Sequence, residues 1–310
     1  MIMKLIDFTN KFPDEQSCRD FFRENRQKEG IICRKCKGTN HYWMKSIGQF
    51  QCKTCRTRTT SRSGTVMESS KLSFLDWFRT IHLMIATKKG FSALEVQRQL
   101  GRKRYEPVWY MMQKIRVAMS DRDEKYVLSG TMEMDEGYFE SVNSEYKGSP
   151  KRPAKRGRGS EKQTPVLVIA EIEKVKKPKK NRPAYRCKYV KMKVTQDLSS
   201  NTVNDIVRNS LSSDAKVKTD NYSSYRRLNE VVKKHTAKIF PPEKAGKELP
   251  WVHITISNAK RNLLNCYHHV DDIFLQNYLD EFTYKLNRRY FGEKLFDRLL
   301  IACASFSWAA

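Results

Sequence analysis

Three short stretches, far apart in the chain, carry side chains whose types and spacing could do chemistry. MEMDEGYF at 132–139 and VKTDNYSSY at 217–225 each place one aspartate, Asp135 and Asp220, at the end of a strand-like segment. The third stretch, HITISNAKR at 253–261, begins a predicted helix. Two carboxylates and a third ligand that converge from distant segments are what a divalent-metal phosphoryl-transfer site needs.

The third stretch places two further polar side chains on one side of its helix. His253 and Lys260 are seven residues apart, which is close to two helical turns. Side chains at that spacing share a face of the helix.

Four of the eight cysteines form two C-x-x-C pairs, CRKC at 33–36 and CKTC at 52–55. The two-residue gap lets one tight turn aim both sulfurs of a pair at a single ion. A closed four-sulfur site has no open position for water, so we predict a structural zinc ion without a catalytic role. The predicted zinc ligands are Cys33, Cys36, Cys52 and Cys55. The alternating segment HYWMKSIGQFQ between the pairs, residues 41–51, predicts a β-hairpin.

The composition indicates a folded protein with a polyanionic partner. The chain has 310 residues, enough for two or three domains, and 39% of them are hydrophobic. Its formal net charge of +26 favours nucleic acid, because Lys and Arg neutralise phosphates and release counterions. Proteins that bind ribosomes or anionic membranes can be equally basic.

Several features predict where the protein works. The sequence has no apolar run of membrane-spanning length, and its N-terminus lacks the apolar core of a secretory signal. The other cysteines (Cys18, Cys187, Cys266 and Cys303) are isolated, which is typical of a reducing cytosol. We therefore expect a cytoplasmic, nucleoid-associated protein with no membrane partner.

Residues 67–125 are predicted to be helical. Ser73 with Asp76, and Ser92 with Glu95, are spaced as capping pairs that begin two helices. Pro107 suits the first turn of a third. Two short helices joined by a basic turn are similar to a helix-turn-helix, although any helical hairpin has this pattern.

The remainder, residues 126–310, is predicted to be one α/β domain that supports the three chemical stretches. Strands are expected around Asp135, at 163–175 and 185–194 as an antiparallel pair, and before Asp220. Glu133 and Asp135 should point to one side of their strand. Whether Glu133 and Glu136 lie behind the site or on the surface stays open. The basic segment 147–162 is predicted to be a loop.

These motifs are similar in kind and order to those of a known family, over most of the chain. They are CRKC…CKTC, SGT at 63–65 followed by KLSFLDWF, EMDEGYF, KTDNYSSY, and YHHV with YLDEFTYKLNRR in 267–289. The chain resembles bacterial insertion-sequence transposases of the ISXO-like group. The resemblance implies a zinc ribbon in residues 1–66, a helix-turn-helix-like region in 67–125, and a ribonuclease H-like mixed sheet flanked by helices in 126–310.

In that family, two Asp and a third residue ahead of YHHV hold metal, and a Lys follows the third residue by seven. The third residue is Glu, Asn or His, and here no Glu or Asp occurs between Glu248 and Asp271. Counting back from YHHV puts His253 at the third position and Lys260 at the Lys position. Asn258 is the rival, but its five-residue offset is about 140° around a helix, so His253 is favoured.

The resemblance implies a transposase that cleaves double-stranded DNA at the terminal inverted repeats of its element and joins the 3′ ends to target DNA. Asp135, Asp220 and His253 would hold two Mg²⁺ or Mn²⁺ ions, and Lys260 would pair with a DNA phosphate. Protonation of His253 would end its ligation, so activity should fall at low pH. A homo-oligomer on DNA is expected. The alternatives are a catalytically inactive zinc-ribbon DNA-binding regulator and a metal-dependent nuclease or resolvase.

Overall fold

A computed structural model of the protein describes residues 3–141, 163–176, 183–241, 245–267 and 270–306. The chain divides into two units, one made of residues 1–122 and 288–310 and the other of residues 123–287. The boundaries expected from the sequence stay predictions, but this division differs from them at the C-terminus. Residues 288–310, which the sequence assigned to the α/β domain, cluster with the N-terminal unit.

The first unit combines a small three-stranded sheet with helices. Its elements are α1 (Leu5–Lys11), α2 (Glu15–Glu29), β1 (His41–Met44), β2 (Gln49–Cys52), β3 (Arg58–Thr59), α3 (Phe74–Ala86), α4 (Ala93–Gln99), α5 (Glu106–Glu124, whose last two residues belong to the second unit) and, near the C-terminus, α10 (Lys294–Ser305). β1 and β2 pair antiparallel, as the predicted hairpin requires. The predicted apolar tail contains α10, whose Phe296 ring lies 5.8 Å from Phe78 and 5.4 Å from Phe12.

The predicted caps of the first unit are confirmed. The Ser73 hydroxyl accepts the backbone N–H of Asp76, and the Asp76 carboxylate accepts the N–H of Ser73 in return. Ser92 caps α4 by accepting the N–H of Glu95. These residues satisfy N–H groups that the first turn of a helix leaves without partners, so local sequence alone determines where these helices begin.

The second unit is built on a five-stranded sheet. Its elements are β4 (Thr131–Glu140), β5 (Gln163–Lys174), β6 (Tyr185–Val194), α6 (Ser200–Ser210), β7 (Lys216–Asp220), β8 (Lys234–Lys238), α7 (Ala245–Glu248), α8 (Pro250–Cys266) and α9 (Asp272–Asn287). The strand order is β6-β5-β4-β7-β8. β4, β5 and β6 are antiparallel, whereas β7 and β8 run parallel to β4. This mixed sheet with flanking helices confirms the predicted α/β class.

Each face of this sheet buries its own apolar core. α8 and α9 cover one face through Val252, Ile256 and Leu279. On the other face, Met132 and Met134 of β4 pack with Val203 and Val207 of α6. Because side chains alternate along a strand, Glu133, which lies between the two methionines, points toward α8, and so does Asp135. Glu133 and Asp135 therefore face the helix that carries His253.

The edge strand β6 is covered by polar side chains of α9. The Val190 N–H donates to the Asn287 side-chain oxygen at 2.8 Å, and the Asn287 amide donates back to the Val190 carbonyl at 2.9 Å. The Val194 N–H donates to Gln276 at 2.8 Å. These contacts satisfy backbone groups that an edge strand otherwise leaves unpaired, and they fix α9 to the sheet.

Part of the sequence interpretation lies outside the described residues. The basic segment 147–162 and His268 and His269 of YHHV are among these positions. Within the part of the chain that the structure describes, every helix is too short or too polar to cross a lipid bilayer.

Candidate active site

Asp135, in the middle of β4, and Asp220, the last residue of β7, lie at the same level on neighbouring parallel strands. Glu133 of β4 pairs with Lys218 of β7, and each aspartate lies two residues beyond that pair. The Asp135 Oδ1 atom accepts the N–H of Glu136 at 2.9 Å. The Asp220 Oδ1 atom accepts the N–H of Tyr222 at 3.0 Å. These backbone contacts fix the orientation of both carboxylates.

His253, in the first turn of α8, lies beside Asp135. Its Nε2 atom is 3.5 Å from Asp135 Oδ2. This nitrogen is buried, and no group in the described residues meets it in hydrogen-bonding geometry. A buried polar atom without a hydrogen bond is costly, so this ring nitrogen indicates that a ligand belongs at this position.

The two other candidates on α8 are placed differently. Asn258, the rival third ligand, is exposed, while His253 contacts Asp135. Lys260 is half-buried, and its Nζ atom lies 5.6 Å from the centre of the Phe139 ring, farther along β4 than Asp135. Lys260 also lines a cleft with Tyr138 and Glu140. The structure therefore brings His253 to the carboxylates and places Lys260 at a neighbouring cleft.

The pocket around Asp135 concentrates negative charge. Burial, with the charges of Glu136 and Asp220, raises the pKa of Asp135 to about 8. Burial lowers the pKa of His253, against the opposing effect of the Asp220 charge. A carboxylate that is costly to ionise beside a neutral imidazole gives a site where a cation would be strongly stabilised.

The donor set fits a divalent cation. Two ligands about 2.1 Å from one Mg²⁺ or Mn²⁺ ion are roughly 3–4 Å apart, and the distance from Asp135 Oδ2 to His253 Nε2 falls in that range. The Asp220 carboxylate does not lie within such a distance of both of these atoms. Among the described residues, only the four cysteines form a group of three or more such side chains with all ligand atoms within 4.8 Å of one another. Asp220 instead contributes its charge, which acts on both Asp135 and His253.

The sequence analysis left open whether Glu133 and Glu136 lie on the surface. Both are buried, on opposite sides of β4. Glu133, 3% exposed, reaches the first turn of α8, where its Oε2 atom accepts the N–H groups of Trp251 and Val252. Glu136, 8% exposed, accepts the hydroxyl of Tyr225. Tyr225 belongs to the same stretch as Asp220, but the sequence motifs predicted no role for it.

The four predicted zinc ligands converge in the first unit. The Sγ atoms of Cys33 and Cys55 are 3.5 Å apart, and those of Cys36 and Cys52 are 3.6 Å apart. Sulfurs at the corners of a zinc tetrahedron are separated by about 3.8 Å, given zinc–sulfur bonds of about 2.3 Å. Both turns are built alike, because the fifth residue of each donates its N–H to the first cysteine. The cluster is a structural zinc site.

The helical region also has the predicted arrangement of a basic turn between two helices. Residues 102–104 lie between α4 and α5 and are exposed. Arg102 pairs with the buried Asp76 carboxylate at 2.5 Å, so its positive charge is partly neutralised within the unit. DNA recognition by this region stays a prediction.

Comparisons with known proteins agree with this architecture. Residues 127–287 match the family described as the ISXO2-like transposase domain, and residues 13–58 match the transposase zinc-ribbon domain. No curated protein sequence matches significantly.

Two solved structures of a transposase are weakly similar. One, the Mos1 strand transfer complex, is 10% identical, with 74% of this chain and 78% of that chain covered and a TM-score of 0.25. The other, the Mos1 mariner paired end complex with Mn, is 12% identical, with 70% and 75% covered and a TM-score of 0.27.

Proposed function

The chain belongs to the family of ISXO2-like transposases with a zinc ribbon, and from this premise we propose that it cleaves the ends of its DNA element and joins them to target DNA. The proposed catalytic residues are Asp135, Asp220, His253 and Lys260. The observation that carries the proposal is the contact between Asp135 and His253. An oxygen of the Asp135 carboxyl group and a buried imidazole nitrogen that makes no hydrogen bond, from distant segments, lie 3.5 Å apart in a pocket where Asp220 and Glu136 are close enough to act on Asp135.

Each residue has a distinct role in this mechanism. Divalent ions held at the site would activate a water or a 3′-hydroxyl for in-line attack and stabilise the leaving oxygen. Asp135, Asp220 and His253 would hold these ions. Imidazole is a softer ligand than carboxylate, so Mn²⁺ should serve at least as well as Mg²⁺.

Lys260 would act on the DNA and not on the metal. Its Nζ atom lies over the Phe139 ring at the cleft, where an ammonium group can pair with a phosphate oxygen of the bound strand. Positioning of the phosphodiester for in-line attack is a large part of catalysis in phosphoryl transfer. Loss of Lys260 should therefore weaken DNA positioning and leave metal binding intact.

The proposed partner is double-stranded DNA, both the terminal inverted repeats and the target. The net charge of +26 supports it, because each neutralised phosphate releases counterions. The zinc ribbon contributes exposed cations, among them Arg34, Lys35 and Lys53. We expect two or more copies to act together on DNA, because two element ends must be processed.

The test is a cleavage and strand-transfer assay on DNA that carries the element ends, with added Mg²⁺ or Mn²⁺. Asp135→Ala, Asp220→Ala and His253→Ala should each abolish both steps and leave DNA binding and zinc content unchanged. A matched control is Asp205→Ala, because Asp205 is an exposed carboxylate on α6 of the same unit. Cleavage by the Asp135→Ala variant would refute the catalytic assignment.

The same assay separates the rival functions. A nuclease or resolvase would cut without joining and would not need defined ends. A DNA-binding regulator would bind the ends and neither cut nor join them under any metal. Strand joining that depends on both the ends and the metal supports the transposase.

A further inference from the structure

The helix that carries His253 has no N-terminal cap of its own. Leu249 occupies the cap position without a side-chain hydrogen bond, and Pro250 follows as the first helical residue. The next two N–H groups, of Trp251 and Val252, both donate to Oε2 of Glu133, at 2.7 and 3.1 Å. The buried Glu133 carboxylate of β4 therefore takes the place of the side chain that usually caps a helix. Its negative charge also interacts favourably with the positive N-terminal end of the helix dipole.

This contact fixes His253 relative to Asp135. Val252 directly precedes His253, so holding its N–H fixes the backbone of the first turn. Glu133 and Asp135 are alternate residues of β4 and face α8 together. The strand that carries one proposed metal ligand thus also holds the backbone that presents another.

A second contact fixes the segment that carries Asp220. The Tyr225 hydroxyl donates to Glu136 Oε2 at 2.6 Å, and both side chains are buried. Tyr225 ends the short helical turn Ser223–Tyr225 that follows Asp220. Glu136 is the neighbour of Asp135 and faces away from α8. The hydrogen bond from Tyr225 therefore reaches β4 on the face of the sheet opposite α8.

We propose that Glu133 and Tyr225 are positioning residues of the transposase site, which fix the His253 helix and the Asp220 turn to the strand that carries Asp135. The inference rests on the proposed function of those three residues. Both Oε2 contacts of Glu133 are with backbone N–H groups, so its role is to orient His253 and not to bind metal. Tyr225 acts through its hydrogen bond to Glu136, and this contact fixes where Asp220 lies relative to Asp135.

The experiment uses the zinc-loaded full-length chain and two conservative variants. Glu133→Gln keeps the size and one acceptor oxygen but removes the charge, and Tyr225→Phe removes only the hydroxyl. Mn²⁺ binding to the DNA-free protein is measured by electron paramagnetic resonance, and cleavage is measured as a function of Mn²⁺ concentration. Each variant should bind Mn²⁺ about 3- to 10-fold more weakly, the range expected for one weakened charge-assisted contact.

A positioning role also makes a specific kinetic prediction. Raising Mn²⁺ should restore cleavage by Glu133→Gln and Tyr225→Phe, whereas Asp135→Ala should stay inactive at every concentration. The matched control is Glu171→Gln, a buried glutamate of β5 whose carboxylate pairs with Lys188 and does not reach α8. It should bind Mn²⁺ as the wild type does.

The outcomes separate the inference from the proposed function. Wild-type Mn²⁺ affinity and wild-type Mn²⁺ dependence in both variants, with Asp135→Ala inactive, would overturn the positioning role alone. Activity in Asp135→Ala would overturn the proposed function itself. Loss of activity in both variants with unchanged Mn²⁺ affinity and no recovery at high Mn²⁺ would also overturn the inference. If Glu133→Gln fails to fold, Tyr225→Phe still tests the tie to the Asp220 turn.

Discussion

Gly137 of β4 lies directly against Ile256 of α8. A Cβ atom at Gly137 would be 3.2 Å from Ile256 Cγ2, 3.3 Å from Ile256 Cγ1 and 3.0 Å from Cε2 of Phe139 on the same strand. Such distances are tighter than ordinary van der Waals contact, so the absence of a side chain lets the helix approach the strand. Gly137 alternates with Glu133 and Asp135 on the face that meets α8. The closeness of helix and strand at this glycine sets how near His253 can come to Asp135.

Gly137→Ala is expected to push α8 away from β4 and reduce cleavage about 10-fold or more, because catalytic geometry tolerates only small displacements. Overpacking should also cost about 1–3 kcal/mol of stability. Cleavage rates and thermal unfolding measure the two effects. The double variant Gly137→Ala/Ile256→Ala makes room for the new methyl group and should recover part of the activity. If the double variant is no more active than Gly137→Ala, the contact with Ile256 is not the cause of the loss.

His253 and Asn258 provide a test of the third ligand. His253→Ala should lose more activity than the roughly 10–100-fold that removing a group behind a metal ligand costs. Asn258→Ala should retain activity, because Asn258 is exposed on another face of α8. Cleavage assays of the two variants at equal Mn²⁺ decide between them, and the reverse pattern would move the third ligand to Asn258.

Metal affinity should depend on pH through Asp135. In the metal-free pocket the pKa of Asp135 is raised to about 8, so a bound cation must displace its proton at neutral pH. The apparent Mn²⁺ affinity should therefore rise with pH, by up to about tenfold per unit, and level off above pH 8. Burial lowers the pKa of His253, so the imidazole is neutral above pH 7 and the slope there reports on Asp135. Mn²⁺ titrations from pH 6 to 9 measure the slope, and a flat profile would contradict this assignment.

The same raised pKa predicts a stability effect in the absence of added Mg²⁺ or Mn²⁺. A carboxyl group whose folded-state pKa is raised contributes stability at low pH that is lost as the pH rises toward 8. Asp135→Asn removes that loss, so the zinc-loaded variant should be more stable than wild type at pH 8, by about 1 kcal/mol or more, roughly 2–4 °C in melting temperature. The difference should shrink toward pH 4. A destabilised variant at pH 8 would show that the Asp135 charge is well compensated in the free protein.

The zinc site can be tested apart from the catalytic site. Cys36→Ser should reduce the bound zinc from about one ion per chain and unfold the ribbon, because the metal supplies much of the folding free energy of such modules. Zinc analysis and DNA-end binding measure the effect. The control is Cys266→Ser, since Cys266 lies outside the cluster. Full zinc content in Cys36→Ser would exclude the four-sulfur site.

The sequence by itself determined the features that depend on near neighbours in the chain. The caps at Ser73 and Ser92, the paired cysteine turns and the strand around Asp135 all follow from residues a few positions apart. Resemblance to the family then predicted which distant residues belong to one site.

Only the tertiary structure decided how those residues are held together. Nothing in the local pattern shows that Glu133 caps a helix more than a hundred positions away, or that Tyr225 ties its turn to Glu136. The grouping of α10 with the N-terminal unit is likewise invisible in periodicity. The physical reason is that these contacts depend on strand order and register, which bring side chains together only when the whole sheet is assembled.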